Sequence, residues 1–202
     1  MLFSAKNKLA LSLILTLVFA SVSLFLKHLF GLEWNLYIGE GTLMQFVLGL
    51  GSILASDLVI SFALVLLFHT AYVRLWMEMA GYFSPQRWYV ILAGGMLAGS
   101  EEIFFRGVLI QYMIRILNFE TVYAVILSAA VFGLFHIIRK KRLALFSLWA
   151  FWEGIVLGAI YIYTDSLPVV AAVHAAHDVL GFSLFSLQRK RGFLPLKKHP
   201  GF

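Results

Sequence analysis

Long apolar stretches separated by short polar or glycine-bearing breaks divide the chain into six candidate helices. They run at about 9–26, 42–69, 88–117, 121–138, 143–163 and 167–187. A membrane-crossing helix needs roughly 20 apolar residues, within a range of about 17–25. The second and third stretches exceed that range, so each is expected to tilt, break or run beyond the bilayer. Gly94-Gly95 and Gly99-Ser100 mark where the third should bend or unwind, and Pro85 ends any helix before it. The pattern predicts an all-α fold. We read it as a polytopic membrane helix bundle of about six transmembrane helices, forming a single integral membrane domain over residues 1–202.

Composition supports lipid as the solvent. Hydrophobic residues make up 61% and charged residues 13%, against about 45–50% and about 25% in soluble domains. The chain has no cysteine, which excludes disulfides and thiolate metal sites and leaves the redox compartment open. The N-terminus resembles a secretory signal, with Lys6 and Lys8 ahead of an apolar run and small residues at Ala20 and Ser21. That run continues to Leu26, beyond the usual signal core of about 7–15 residues, so it is expected to stay as the first span.

Lys and Arg between the spans set the orientation. With the N-terminus cytoplasmic, the inner segments hold Lys6, Lys8, Arg74, Arg87, Arg139, Lys140, Lys141, Arg142, Arg189, Lys190, Arg191, Lys197 and Lys198. The outer segments hold Lys27 alone, while Arg106 and Arg115 fall within a span. Both termini are therefore expected in the cytoplasm, and the membrane that holds the protein is expected to be a bacterial cell membrane. The net charge of +6 then marks topology and contact with anionic membrane lipid, and no nucleic-acid partner is expected. Gly95 with Gly99, and Gly154 with Gly158, have the four-residue spacing of close helix crossings in lipid.

Charges inside the third span change the picture most. Residues 88–99 carry none, yet Glu101, Glu102 and Arg106 follow at once. A charge at the bilayer centre costs about 2.5–3.5 kcal/mol on insertion scales. Glu102 and Arg106 are four apart and share a helix face, with the acid on the N-terminal side that favours an ion pair. Glu101 points about 100° away, free to face another cavity. All three could instead form a buried charge network between helices.

Two further spans carry polar residues at helical spacing. Phe132 and His136 share a face in the fourth; a lone histidine there can equally be a satisfied core residue. His174 and Asp178 share a face in the sixth, where the carboxylate could fix the imidazole tautomer by accepting its N–H. His177 lies about 60° from His174 and could join the pair or serve packing. By helical rise, Glu101 and Asp178 reach similar depths, and His136 could join them in the cytoplasmic half of the bilayer. Asp57, His69, Arg115 and Glu153 lie in or near spans with no adjacent partner. Asp57 and Glu153 read as packing partners or members of a water path, and Arg115 can snorkel to the headgroups.

Taken in order, these motifs resemble those of the CAAX protease and bacteriocin-processing family of intramembrane endopeptidases, also called the Abi family. Glu101, Glu102 and Arg106 match Glu-Glu-x-x-x-Arg, with the customary Gly107 following; Phe132 and His136 match Phe-x-x-x-His; His174 and Asp178 match His-x-x-x-Asn or Asp. The stretch from Phe151-Trp152-Glu153-Gly154 to Gly158, then Ser166-Leu167-Pro168, is similar too. The resemblance covers about residues 88–185 and makes 88–187 the motif-bearing catalytic core.

The resemblance implies a glutamate-dependent, metal-independent peptidase acting on a membrane-associated protein or peptide substrate. Glu101 and His136 would activate a water molecule. His174 and Asp178 would stabilise the oxyanion, while Glu102 and Arg106 would hold the site's architecture. A carboxylate in a poorly hydrated site is a usable base near neutral pH, and donors aimed at a developing oxyanion are among the largest catalytic contributions. Asp178 departs from the asparagine of CAAX-cleaving members, since an ionised aspartate would repel an oxyanion. Glu153 departs from the usual small or apolar residue. The same side chains leave a metal-dependent version open, in which Glu101, His136, His174 and Asp178 ligate Zn²⁺. A non-enzymatic immunity or scaffold protein of the same fold is a further alternative.

Overall fold

A computed structural model describes residues 5–83, 87–137 and 144–190. The basic cluster at 139–142, Arg191, Lys197, Lys198 and Pro85 lie outside the described residues. The elements are α1 (Ala5–Phe30), α2 (Thr42–Phe83), α3 (Trp88–Glu102), a π-helical segment (Ile103–Ile110), α4 (Gln111–Arg115), α5 (Thr121–Ile137), α6 (Ala144–Thr164) and α7 (Leu167–Lys190). The α3, π and α4 pieces run on without a break, because every residue at their junctions keeps right-handed helical angles. The result is a helical membrane bundle of six rods, as the apolar pattern predicts.

Among the described residues, four helices are long and apolar enough to cross a membrane unaided: Ala5–Phe30, Thr42–Met79, Leu145–Thr164 and Leu167–Leu187; Thr121–His136 is shorter. Their outer faces carry large apolar side chains, among them Leu58, Phe62, Leu67 and Val122. Such a surface would aggregate in water and is at home against lipid tails.

Both long stretches resolve as irregular helices. In α2 the irregularity falls at Phe68, whose angles (φ −137°, ψ 38°) are not helical, one residue before the predicted end of that span. Neither proline nor glycine stands there. Beyond it, Tyr72 stacks on Trp149 and Trp76 packs on Phe185, fastening the far half of α2 to α6 and α7. In the third rod the change comes later than expected. The chain stays α-helical past both glycine pairs and turns π-helical only after the glutamates.

The glycines serve close crossings instead. A Cβ on Gly95 would meet the Ala175 carbonyl at 3.0 Å, and one on Gly99 the Ala171 carbonyl at 3.1 Å, so α3 lies backbone against α7. A Cβ on Gly154 would meet Ala129 Cα at 3.0 Å where α5 crosses α6. Small residues permit this approach where lipid offers no hydrophobic force between helices.

One end of the bundle is closed by the segment between α1 and α2. Gly31 (φ +61°) ends α1 in the left-handed conformation, with Leu32 N bonded to Lys27 O and Gly31 N to His28 O, the paired bonds of a Schellman cap. Trp34 Nε1 then donates to the Gly107 carbonyl at 2.8 Å. A Cβ on Gly107 would lie 3.1 Å from both Trp34 Nε1 and Leu167 Cδ2, which gives this glycine a steric reason. Ser166 accepts from Val169 N as the cap of α7.

Candidate functional site

The centre is built first from α3 and the π-helical segment. Arg106 Nη1 donates to Glu102 Oε1 at 2.8 Å, and Nη2 donates to the Gly154 carbonyl at 2.7 Å. Four-residue spacing produces the first bond, as expected; the second crosses to α6. Glu102 is 0% exposed and Arg106 1%, so this ion pair is sealed from solvent.

Glu102 has a second role that spacing alone does not reveal. Its Oε1 also accepts from His174 Nδ1 at 2.7 Å. Asp178 had been expected to orient His174, but its Oδ1 stands 4.0 Å from Nε2, as does Glu153 Oε1. That is beyond hydrogen-bond range. Glu102 therefore fixes the His174 tautomer from a different helix and turns Nε2 toward the two more distant carboxylates. Glu102 Oε2 and Arg106 Nε are buried without a hydrogen-bond partner in the protein.

Phe132 is the hub of the second motif. It is 1% exposed, and its ring lies 4.7 Å from that of His136, 5.9 Å from that of His174 and 5.4 Å from the Arg106 guanidinium carbon. His136 Nδ1 donates to the Phe132 carbonyl at 2.8 Å. A carbonyl can only accept, so in the neutral ring Nδ1 carries the proton and Nε2 keeps its lone pair, the form of a base. Glu101, half-buried at the end of α3, lies within electrostatic reach of His174, Asp178, Glu102 and Glu153. All three motifs thus converge. Glu102, Arg106 and His174 are bonded directly, while Phe132 links His136 to them.

A neighbouring cluster was missed. His177 Nε2 lies 2.7 Å from Asp57 Oδ2, and its Nδ1 lies 2.9 Å from Glu153 Oε1 and 3.3 Å from Asp178 Oδ1. Asp57 and Glu153, expected to be packing or water-path residues, both turn to this imidazole. A usable signal was present, since charges within a membrane are almost always paired. The unmatched polar residues of the second, fifth and sixth spans, Asp57, Glu153 and His177, are therefore candidates to pair with one another. Among the described residues, the oxygen and nitrogen donors that converge to within 4.8 Å belong to Glu153, His177 and Asp178, a different set from the four considered for Zn²⁺. At the opposite end, Arg115 pairs with exposed Glu33 at 3.3 Å.

Residues 83–180 match the family model described as type II CAAX prenyl endopeptidase Rce1-like. No curated protein and no solved structure gives a significant match. The matched segment contains Glu101, Glu102, Arg106, Phe132, His136, His174 and Asp178, whereas Asp57 lies outside it. Residues 83–180, which carry the three motifs of the site, are thus similar to the Rce1-like family of type II CAAX prenyl endopeptidases.

Proposed function

We propose that the protein is an intramembrane endopeptidase of the glutamic type, hydrolysing a peptide bond in a membrane-anchored protein or peptide. The observation that carries this reading is the junction at Glu102, which binds Arg106 and His174 through one oxygen and so joins the first and third motifs. Glu101, the neighbouring carboxylate, is left to take a proton from water as that water attacks the scissile carbonyl. Protonated Glu101 then returns the proton to the leaving amine. His136, with an unprotonated Nε2, helps to polarise the water. His174 Nε2, when protonated, donates to the oxyanion, and Asp178 tunes the charge on that imidazole.

Similarity to the type II CAAX prenyl endopeptidases makes a prenylated peptide ending in a CAAX-type sequence the first substrate to try. In liposomes, wild-type protein is expected to cleave such a reporter, and Glu101→Gln to slow cleavage by about 10²–10⁴-fold, the usual contribution of a general base. Equal rates would reject Glu101 as the base. We further propose that both termini face the cytoplasm. Because the chain lacks cysteine, single cysteines at positions 74 and 27 are expected to label from the inner and outer side respectively.

A further inference from the structure

His177 sits among more negative charge than it can balance. Asp57, Glu153 and Asp178 come from α2, α6 and α7 and approach one imidazole within 3.3 Å. Even with His177 and the more distant His174 both protonated, one of the three carboxylates would remain uncompensated. Arg106 cannot help, since its bonds go to Glu102 and Gly154. Glu153 is about nine-tenths buried, and its Oε1 accepts no hydrogen bond although it points at His177 Nδ1. The hydrogen bond that Nδ1 makes here is with Asp178 Oδ1.

We infer that Glu153, His177 and Asp178 form a binding site for one divalent transition-metal cation, with Asp57 orienting the imidazole. One donor atom from each of the three lies within 4.8 Å of the others. Metal bonds to imidazole nitrogen and carboxylate oxygen run about 2.0–2.2 Å, so donors on opposite sides of an ion are about 4 Å apart. Small side-chain rotations close that difference. With Nε2–H donating to Asp57, a cation that displaces the Nδ1 proton would meet the Nδ1 lone pair beside Glu153 and Asp178. This carboxylate–histidine order is the one that fixes the tautomer of metal-bound imidazoles. A mixed set of one nitrogen and two carboxylates suits Zn²⁺ or Mn²⁺ better than a soft ion. Asp57, Glu153 and His177 belong to none of the three motifs, and the site stands whether or not the protein hydrolyses peptides. If it does, a cation on Asp178 and Glu153 would offset the negative charge that otherwise faces the oxyanion beside His174.

The test uses the full-length protein, purified in detergent, stripped with a chelator and titrated with Zn²⁺ alone by calorimetry. One Zn²⁺ per chain is expected, with affinity lowered at least tenfold in Glu153→Gln and about 10–100-fold in Asp57→Asn, the range for residues that orient a ligand. A His28→Gln, His69→Gln control, which removes two exposed histidines, is expected to bind as wild type does. Absence of saturable binding to wild type overturns the inference, as does binding unchanged in both Glu153→Gln and His177→Gln. X-ray absorption on the Zn²⁺-loaded wild type needs no substitution. It should report one imidazole among oxygen donors, and none, or two or more, would contradict the assignment.

Discussion

Two polar clusters lie side by side in this membrane core, and their charge balance differs. Around Glu102, one carboxylate is met by one guanidinium and one imidazole, all sealed from solvent. Around His177, three carboxylates share one imidazole, and the side chains of Asp57 and Asp178 keep 16% and 24% exposure. The first arrangement is closed and fixes geometry. The second leaves negative charge to be met by something from outside. Proximity in the fold has not made the clusters equivalent; compensation of charge separates scaffold from binding surface.

Breaking the closed cluster should have the largest effect. Arg106→Met leaves Glu102 as a buried charge without its main partner, which costs about 3–5 kcal/mol. Unfolding in mixed micelles would measure it, and the double variant Glu102→Gln, Arg106→Met should recover much of the loss. Next comes the crossing that aligns α3 with α7. Gly95→Ala places a Cβ against the Ala175 carbonyl and Val179 and should cost about 1–3 kcal/mol by overpacking. Failure of that substitution to change stability would mean that the crossing is looser than the structure has it. In chelator-treated protein, Glu153→Gln should move stability by less than about 1 kcal/mol, because removing one of several like charges relieves repulsion as it removes attraction. A loss as large as that for Arg106→Met would erase the contrast between the clusters. The exposed Arg115–Glu33 pair should matter least, at about 0–1 kcal/mol for Glu33→Gln.

Much of the bundle was legible in the sequence because hydropathy reports length and helical spacing reports shared faces. The six rods, the Glu102–Arg106 pair and the glycine crossings all follow from those two rules. Partners across helices do not. Same-helix spacing suggested Asp178 for His174, but Glu102, 72 positions away, takes the hydrogen bond. Asp57 and His177 are 120 positions apart, so neither span alone announces the contact. The π-helical segment was also unreadable, since Ile103–Ile110 contains no proline and its one glycine lies at a packing contact. The glycine pairs that invited a bend were used to bring backbones together.

The division of labour between adjacent glutamates is the central claim, and paired measurements on Glu101→Gln and Glu102→Gln test it most directly. Each variant would be assayed for reporter cleavage and for unfolding free energy in the same lipid. Glu101→Gln is expected to lose cleavage by about 10²-fold or more while keeping wild-type stability. Glu102→Gln, which weakens the bonds to Arg106 and His174, is expected to lose stability as well. Wild-type cleavage by Glu101→Gln, or destabilisation of that variant equal to that of Glu102→Gln, would contradict the account.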